Sequence, residues 1–430
     1  MRNLFICSFL FLSLLSCPFV YAGNGKTEFA IISDIHVMAP SLLIKEGKAF
    51  EDYVAHDRKM LKESSSLMHE VTMKLLEAHP KFILITGDLT KDGEALSHRY
   101  LVDHYLAKIR QAGIKVFVIP GNHDVNNPHA VSFDGEKKTR VETLSSEEFA
   151  DCYSDYGYGE ALARDPHSLS YVAAVSDSLR ILAIDACKYG ENDFAENTCV
   201  TGGRIKPETM DFIREQVKAA HSKGIRLIAM MHHGLIQHWK WQDKVMKEYL
   251  VDNWKKQAKR FARLGIEVVF TGHFHAQDIV KRGSIYDIET GSTVTYPSPY
   301  RLATLEGNRL DIRTEHINRL EPSFTRKVDF SDYAKKYARE GIAAIVSHIM
   351  PASIPDSCKR EAGSVVATAY VAHLAGDEQW NTQQQDDIKR VCKLVRRHSW
   401  KYAYILKHLS RNLWRDLSPR DNELTIYLTK

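Results

Sequence analysis

Beyond residue 22 the chain has no apolar run long enough to cross a bilayer as a helix. It also lacks internal repeats and low-complexity tracts, which excludes solenoid and tandem-array architectures. A dominant charge is missing too. The formal net charge is +4 over 430 residues, so no dedicated nucleic-acid partner is expected. Cysteine is scarce: seven residues, with no spacing that resembles a zinc knuckle. Two of them, Cys7 and Cys17, fall in an N-terminal segment that reads as a targeting signal. The other five are Cys152, Cys187, Cys199, Cys358 and Cys392. Cys187 and Cys199 bracket a polar loop, whereas Cys358 and Cys392 flank helical patterns. Either pair could bridge in an oxidising compartment, and free buried thiols account for the same residues equally well.

Residues 1–22 carry the marks of a signal peptide. Arg2 makes a basic start, and Leu4 to Leu15 are apolar. Pro18 and then Val20-Tyr21-Ala22 place a breaker before small residues. The polar Gly23-Asn24-Gly25-Lys26 follows at once. This predicts export to the periplasm or the medium. An alternative is lipid anchoring through Cys17, because Leu14-Leu15-Ser16-Cys17 resembles a bacterial lipobox.

What remains is ordinary for a globular protein, with 44% hydrophobic and 26% charged residues. Its length exceeds what one core usually organises, so two domains are expected. Short apolar runs at Phe29–Ser33, Phe82–Thr86 and Val116–Ile119 alternate with helical patterns. One helix presents Met60, Leu67, Met68, Val71 and Leu75. A second presents Leu101, Val102, Tyr105, Leu106 and Ile109. Such alternation builds a parallel sheet through right-handed crossovers. A hairpin is expected around Ser176-Asp177-Ser178, and further strands at Arg226–Met231 and Glu267–Phe270.

Each chemically suggestive cluster sits at the C-terminal end of one of these strands, where open α/β sheets place ligands. Asp34-Ile35-His36 sets a carboxylate and an imidazole two residues apart, on one side of an extended chain. In Gly87-Asp88 the residue before the carboxylate has no side chain, which leaves room for close approach. Gly121-Asn122-His123-Asp124 adds an amide oxygen and an imidazole. His232-His233 and Gly272-His273-Phe274-His275 complete the set. Imidazole, carboxylate and amide oxygen together suit borderline divalent ions such as Mn, Fe or Zn.

The order Asp-x-His, Gly-Asp, Gly-Asn-His-Asp, His, Gly-His-x-His, over roughly residues 28–301, resembles the calcineurin-like metallophosphoesterase superfamily. The resemblance implies a four-layer α/β/β/α sandwich, in which two mixed sheets pack face to face with helices outside. It also implies two metal ions. One would take Asp34, His36 and His275, the other Asn122, His232 and His273, with Asp88 between them. A hydroxide bridging the ions would then hydrolyse a phosphate mono- or diester, and His123 would contact a phosphoryl oxygen or protonate the leaving group. Purple acid phosphatases carry a metal-binding tyrosine three residues beyond the bridging aspartate. Lys91 stands there, so their chromophore is not expected. Gly87-Asp88-Leu89-Thr90 is closer to the bacterial phosphodiesterase branch. Alternatives are a non-catalytic binding module on the same fold, or an exported nuclease or nucleotidase.

The catalytic domain is expected over residues 26–322 and a smaller helical domain over 330–430, with the boundary near 325. Within the latter, residues 391–420 form an amphipathic pattern with eight basic residues against one acid, Asp416. That stripe is either a solvated face or a contact for anionic lipid, the only membrane contact expected apart from a lipid anchor. Asp124 is expected to cap its loop, His233 to orient a ligand or simply to be buried, and His98 and His238 to lie at the surface or rim, with His238 facing substrate as the alternative. Tyr296, Tyr300 and Arg301 are candidates for the substrate mouth, and structural packing accounts equally well for the two tyrosines.

Overall fold

The computed structural model describes residues 25–55, 57–320 and 328–429. The targeting segment and the boundary near 325 lie outside them. Strand Thr27–Ile32 pairs in parallel with Phe82–Ile85, which pairs in parallel with Lys115–Val118. On its other side Thr27–Ile32 meets Pro299–Glu306 antiparallel, followed by Arg309–His316. A second sheet has a parallel centre of Leu179–Ile184, Arg226–Met231, Val268–Thr271 and Ile285–Glu289. The expected hairpin is present as Tyr171–Ser176 against Leu179–Ile184.

The period of two in the strands decides how the layers stack. Phe29 meets Phe270 edge-on across the gap between sheets, with ring centroids 5.8 Å apart. Ile228, Met230, Val268 and Phe270 therefore pack into the core shared with Phe29, Phe82 and Phe117. Their alternates Ala229, Met231 and Val269 point away, against Phe212, Ile213 and Val217 of helix Pro207–His221 and against Phe261 of helix Trp254–Leu264. Helix Ser64–Ala78 packs Leu67, Met68, Val71 and Leu75 into the core of the first sheet. Met60 lies before this helix rather than within it. Two mixed sheets with helices on their outer faces are what the resemblance implied.

Four helices follow, Phe330–Ile349, Asp356–Ala375, Thr382–Arg396 and Trp400–Leu413. Three begin with side-chain caps, at Asp329, Asn381 and Ser399, and Asn381 forms a reciprocal capping box with Gln384. The amphipathic stripe is thus two helices rather than one segment. None of the described helices is long and apolar enough to cross a membrane. The region is also not wholly helical. Glu423–Tyr427 returns to pair antiparallel with Arg309–His316 and extends the first sheet to six strands. Its alternation buries Ile426, which is the reason it pairs as a strand.

Arg301 is displaced from the role expected of it. Its guanidinium is buried and donates to the carbonyls of Asp421 and Glu289 and to Thr314 Oγ1. It clamps the returning chain to the sheet instead of lining a mouth. Tyr300 is buried in the same strand. The five described cysteines are free, so neither candidate bridge forms; Cys187 Sγ instead donates to Pro120 O at 3.3 Å.

Candidate metal centre

The strand ends converge through backbone bonds made just beyond the strands. Asp34 N donates to Gly87 O at 3.0 Å, His36 N to Asp88 O at 2.9 Å, and Val37 N to Leu89 O at 3.0 Å. These bonds hold the chain in turns, and the extended geometry expected for Asp34-Ile35-His36 is not what aligns its side chains. Asp34, His36, Asp88, His273 and His275 all have positive φ, between 38° and 78°. Such conformations cost a non-glycine residue about 1–3 kcal/mol each and persist only where their surroundings enforce them. Two glycines make the approach possible. A Cβ on Gly87 would lie 2.5 Å from His232 Nδ1, and one on Gly272 would lie 2.0 Å from Ser33 Oγ.

The seven expected ligands are brought together, each at most 6% exposed. One potential ligand atom from each of Asp34, His36, Asp88 and His275 falls within 4.8 Å of all the others, and the same holds for Asp88, His232 and His273. His275 Nε2 is 3.2 Å from both Asp34 Oδ1 and His36 Nε2. Asp88 Oδ2 is 3.6 Å from His36 Nε2 and 3.4 Å from His232 Nε2. His232 Nε2 is 3.2 Å from Asn122 Oδ1. Ligands held at about 2.0–2.2 Å around one ion lie roughly 3.0–3.6 Å apart, so these separations fit a shared cation.

Hydrogen bonding points the same way. Asp34 Oδ1 and Asp88 Oδ2 are buried with no partner, while their other oxygens accept from His273 N and His123 N. His232 Nδ1 donates to Thr86 O, so Nε2 is the nitrogen that would offer its lone pair once its proton is displaced. His273 Nε2 lies 3.2 Å from Glu248 O, which leaves Nδ1 facing the cluster. Outer bonds of this kind fix ring orientation in metal sites.

The protonation balance suits ligation. Burial, with the charges of Lys59 and Arg58 next in effect, holds His36 well below its usual range and brings His275 down to about 4. Burial and His233 do the same for His273. Burial pushes the Asp88 carboxyl up, but His232 and His123 overcome it and hold it well below the usual range. For His232 burial is overridden by Asp88, and its pKa rises to about 9. Its proton is the one a cation must displace.

A family model described as calcineurin-like phosphoesterase matches residues 27–277. The chain belongs to this family. As a calcineurin-like phosphoesterase it is an enzyme that hydrolyses phosphoesters with divalent metal ions. It is 24% identical over 282 residues to a probable cyclic nucleotide phosphodiesterase of Psychrobacter arcticus, covering 65% of this chain and 85% of that one. Among solved structures it resembles a dimetal phosphatase from Danio rerio (12% identity, TM-score 0.48, covering 67% of this chain and 96% of that one). A putative 5'-nucleotidase from Staphylococcus aureus is also similar (12% identity, TM-score 0.39, covering 74% and 58%).

Around the cage of this phosphoesterase stands His123, expected from the sequence, and behind it Asp92, Tyr53 and Lys59, which sequence reading did not single out. His123, its most accessible member with a side chain 26% exposed, places Nδ1 2.8 Å from Asp92 Oδ1. Asp92 Oδ2 in turn takes bonds from Tyr53 Oη at 2.5 Å and Lys91 Nζ at 2.7 Å. Lys91 is fully buried between Asp92 and Glu94, with its ammonium over the rings of Tyr53 and Phe133. Lys59, 8% exposed, lies close enough to affect His36 and His123. The only sequence signals were Thr90-Lys91-Asp92-Gly93, charged residues where a family motif had already ended, and the Asp57-Arg58-Lys59 run.

Asp124 caps its loop as expected, accepting from Leu89 N, Thr90 N and Gly121 N. His233 packs its ring 4.5 Å from that of His273, with Nε2 on Thr201 O. His98 and His238 are corrections. Neither is at a surface or rim: His98 is buried between Tyr153 Oη and Asp124 O, and His238 is buried with Nδ1 2.9 Å from Asp278 Oδ1.

Proposed function

We propose that this chain hydrolyses phosphodiesters with two divalent ions, with phosphomonoesters as weaker substrates. The observation that carries the reading is the pair of buried, donor-free oxygens, Asp34 Oδ1 and Asp88 Oδ2, each facing imidazole nitrogens. In this reading Asp34, His36 and His275 hold one ion, Asn122, His232 and His273 the other, and Asp88 joins them. When bound, such a pair would supply an activated water as nucleophile and positive charge for the phosphoryl oxygens. Mn, Fe and Zn all suit the donor set.

His123 is placed to protonate the leaving oxygen. Burial and Lys59 work against its charged form, but Asp88 and Asp92 outweigh them and raise its pKa. Asp92 fixes the Nδ1–H tautomer and turns Nε2 toward the cage, 4.0 Å from Asp88 Oδ2, a role familiar for carboxylates behind catalytic imidazoles. Lys59 adds a nearly buried ammonium, which favours an anionic substrate. The name of the Psychrobacter relative makes cyclic nucleotides the first diesters to test. Residues 1–22 would direct export, and the mass of the mature N-terminus distinguishes cleavage after Ala22 from lipidation of Cys17.

The test is turnover by apo-protein reconstituted with Mn, Fe, Zn or Co on bis-p-nitrophenyl phosphate, p-nitrophenyl phosphate and cyclic nucleotides. Metal-dependent turnover with diesters ahead of monoesters is expected. Silence with every ion would instead favour a binding module, and preferred hydrolysis of polynucleotides would favour a nuclease.

A further inference from the structure

The two helices Thr382–Arg396 and Trp400–Leu413 leave a groove of about 470 Å³ between them. Each turns one stripe toward it. On the first, Lys389, Lys393 and Arg396 recur at the spacing of successive turns; on the second, Trp400, Tyr404, Lys407 and Arg411 do the same. The floor is aliphatic, formed by Ile388, Cys392 and Ala403.

Two properties of this face are unusual. Trp400 is 74% exposed and Tyr404 50%, on the same helix face one turn apart. An indole so exposed forgoes most of the stabilisation its burial would give. The cations are also short of anions. Lys389 pairs with Asp386 at 2.9 Å, but among the described residues no carboxylate lies within ion-pair distance of Lys393, Arg396 or Lys407. No acid lines the groove. The whole chain is close to neutral, so this concentration of positive charge is local.

We propose that this face docks the protein on an anionic phospholipid bilayer. Trp400 and Tyr404 enter the boundary between headgroups and acyl chains, while Lys393, Arg396, Lys407 and Arg411 meet the lipid phosphates. Tryptophan and tyrosine favour that boundary because one part of the ring system is apolar and the other hydrogen-bonds. Long basic side chains lie along apolar surface and present their charge at its edge. A nucleic acid is the poorer match. It would need several free aromatic platforms along its track, and only Trp400 offers a largely exposed ring, since Tyr404 packs against Trp241 and His408.

The experiment uses the full mature chain and co-sedimentation with vesicles of phosphatidylcholine alone or mixed with phosphatidylglycerol. Binding is expected only to the mixed vesicles and should weaken as salt is raised. A juxtaposed basic residue contributes about fivefold in membrane affinity, so Lys393→Glu, Arg396→Glu and Lys407→Glu combined should lower it at least ~10²-fold. Trp400→Ala should lower it at every salt concentration. Lys256→Glu with Lys259→Glu, on a different helix, should leave it unchanged. Far-ultraviolet dichroism and turnover of a soluble substrate, equal in all variants, establish that each is folded. Equal binding to neutral vesicles, no loss in the triple variant, or tighter binding to single-stranded DNA at the same salt would overturn the proposal.

Discussion

Among the described residues, two buried clusters of histidine and carboxylate can be compared, and they are solved in opposite ways. Around Asp88 the protein supplies too few donors: two carboxylate oxygens have none, and three imidazoles are held neutral. Around Asp278 the chain largely completes the network itself. His238 meets Asp278, Arg301 meets the Asp421 and Glu289 carbonyls, and Asp287 accepts from Leu235 N, Ile236 N and Thr271 Oγ1. Both oxygens of the Asp421 carboxylate take backbone donors, from Ile279 and Asp377. Glu378, bonded to His373, keeps one buried oxygen without a donor. By residue type alone the two groups are alike. What separates them is the kind of atom left over: at Asp88 two carboxylate oxygens lack donors, whereas around Asp278 the unpartnered atoms are mostly nitrogens, on His238, His373 and Arg301, beside one Glu378 oxygen.

That contrast can be broken by mutation. The largest effect is expected for Asp88→Ala: turnover should fall roughly 10⁴-fold or more and metal content should drop, since several kcal/mol of charge stabilisation leave with the ions. Elemental analysis and kinetics measure both, and a full complement of two ions would contradict the assignment. Arg301→Met should do the reverse. Removing one partner of a buried charged network costs about 3–5 kcal/mol, read in denaturant unfolding, while the folded fraction keeps its metal. Loss of metal in this variant would mean that the two clusters are coupled.

Within the first cluster, His123→Ala should lower turnover ~10²–10⁴-fold at unchanged metal content. Asp92→Asn should lower it less, about 10–100-fold, because it only orients the ring. If Asp92→Asn removes metal instead, His123 is a ligand.

A last effect, seen only against pH, concerns His98, which belongs to neither cluster. Burial lowers its pKa to about 4. A histidine depressed in the folded state contributes stability that is present above its unfolded pKa of ~6.5 and is lost as pH falls toward 4. Wild type should therefore exceed His98→Gln in stability at neutral pH, and the gap should narrow by up to about 3 kcal/mol by pH 4. A gap independent of pH would show that the ring is not buried neutral.

The legible part of this molecule was the part written in local pattern. Short apolar runs such as Phe29–Ser33 and Arg226–Met231 announced their strands, and the five motif blocks marked the ends where the seven side chains converge. What escaped depended on partners far away in the chain. His98 and His238 read as surface residues because nothing nearby reveals Tyr153 or Asp278. Arg301 read as a mouth residue because its acceptor at Asp421 lies 120 positions away. Glu423–Tyr427 followed four helices and read as more of the same, although its pairing partner is strand Arg309–His316. Asp92 was passed over since its meaning comes from His123, across a loop.

The left-handed turns at Asp34, His36, Asp88, His273 and His275 leave a mark on descent. A lineage that kept the chemistry must retain side chains that their own backbone disfavours. One that abandoned it would be free to drift toward glycine or asparagine at those five places, gaining about 1 kcal/mol or more with each relaxation. Such replacements would therefore date the retirement of a relative from catalysis before any assay was run.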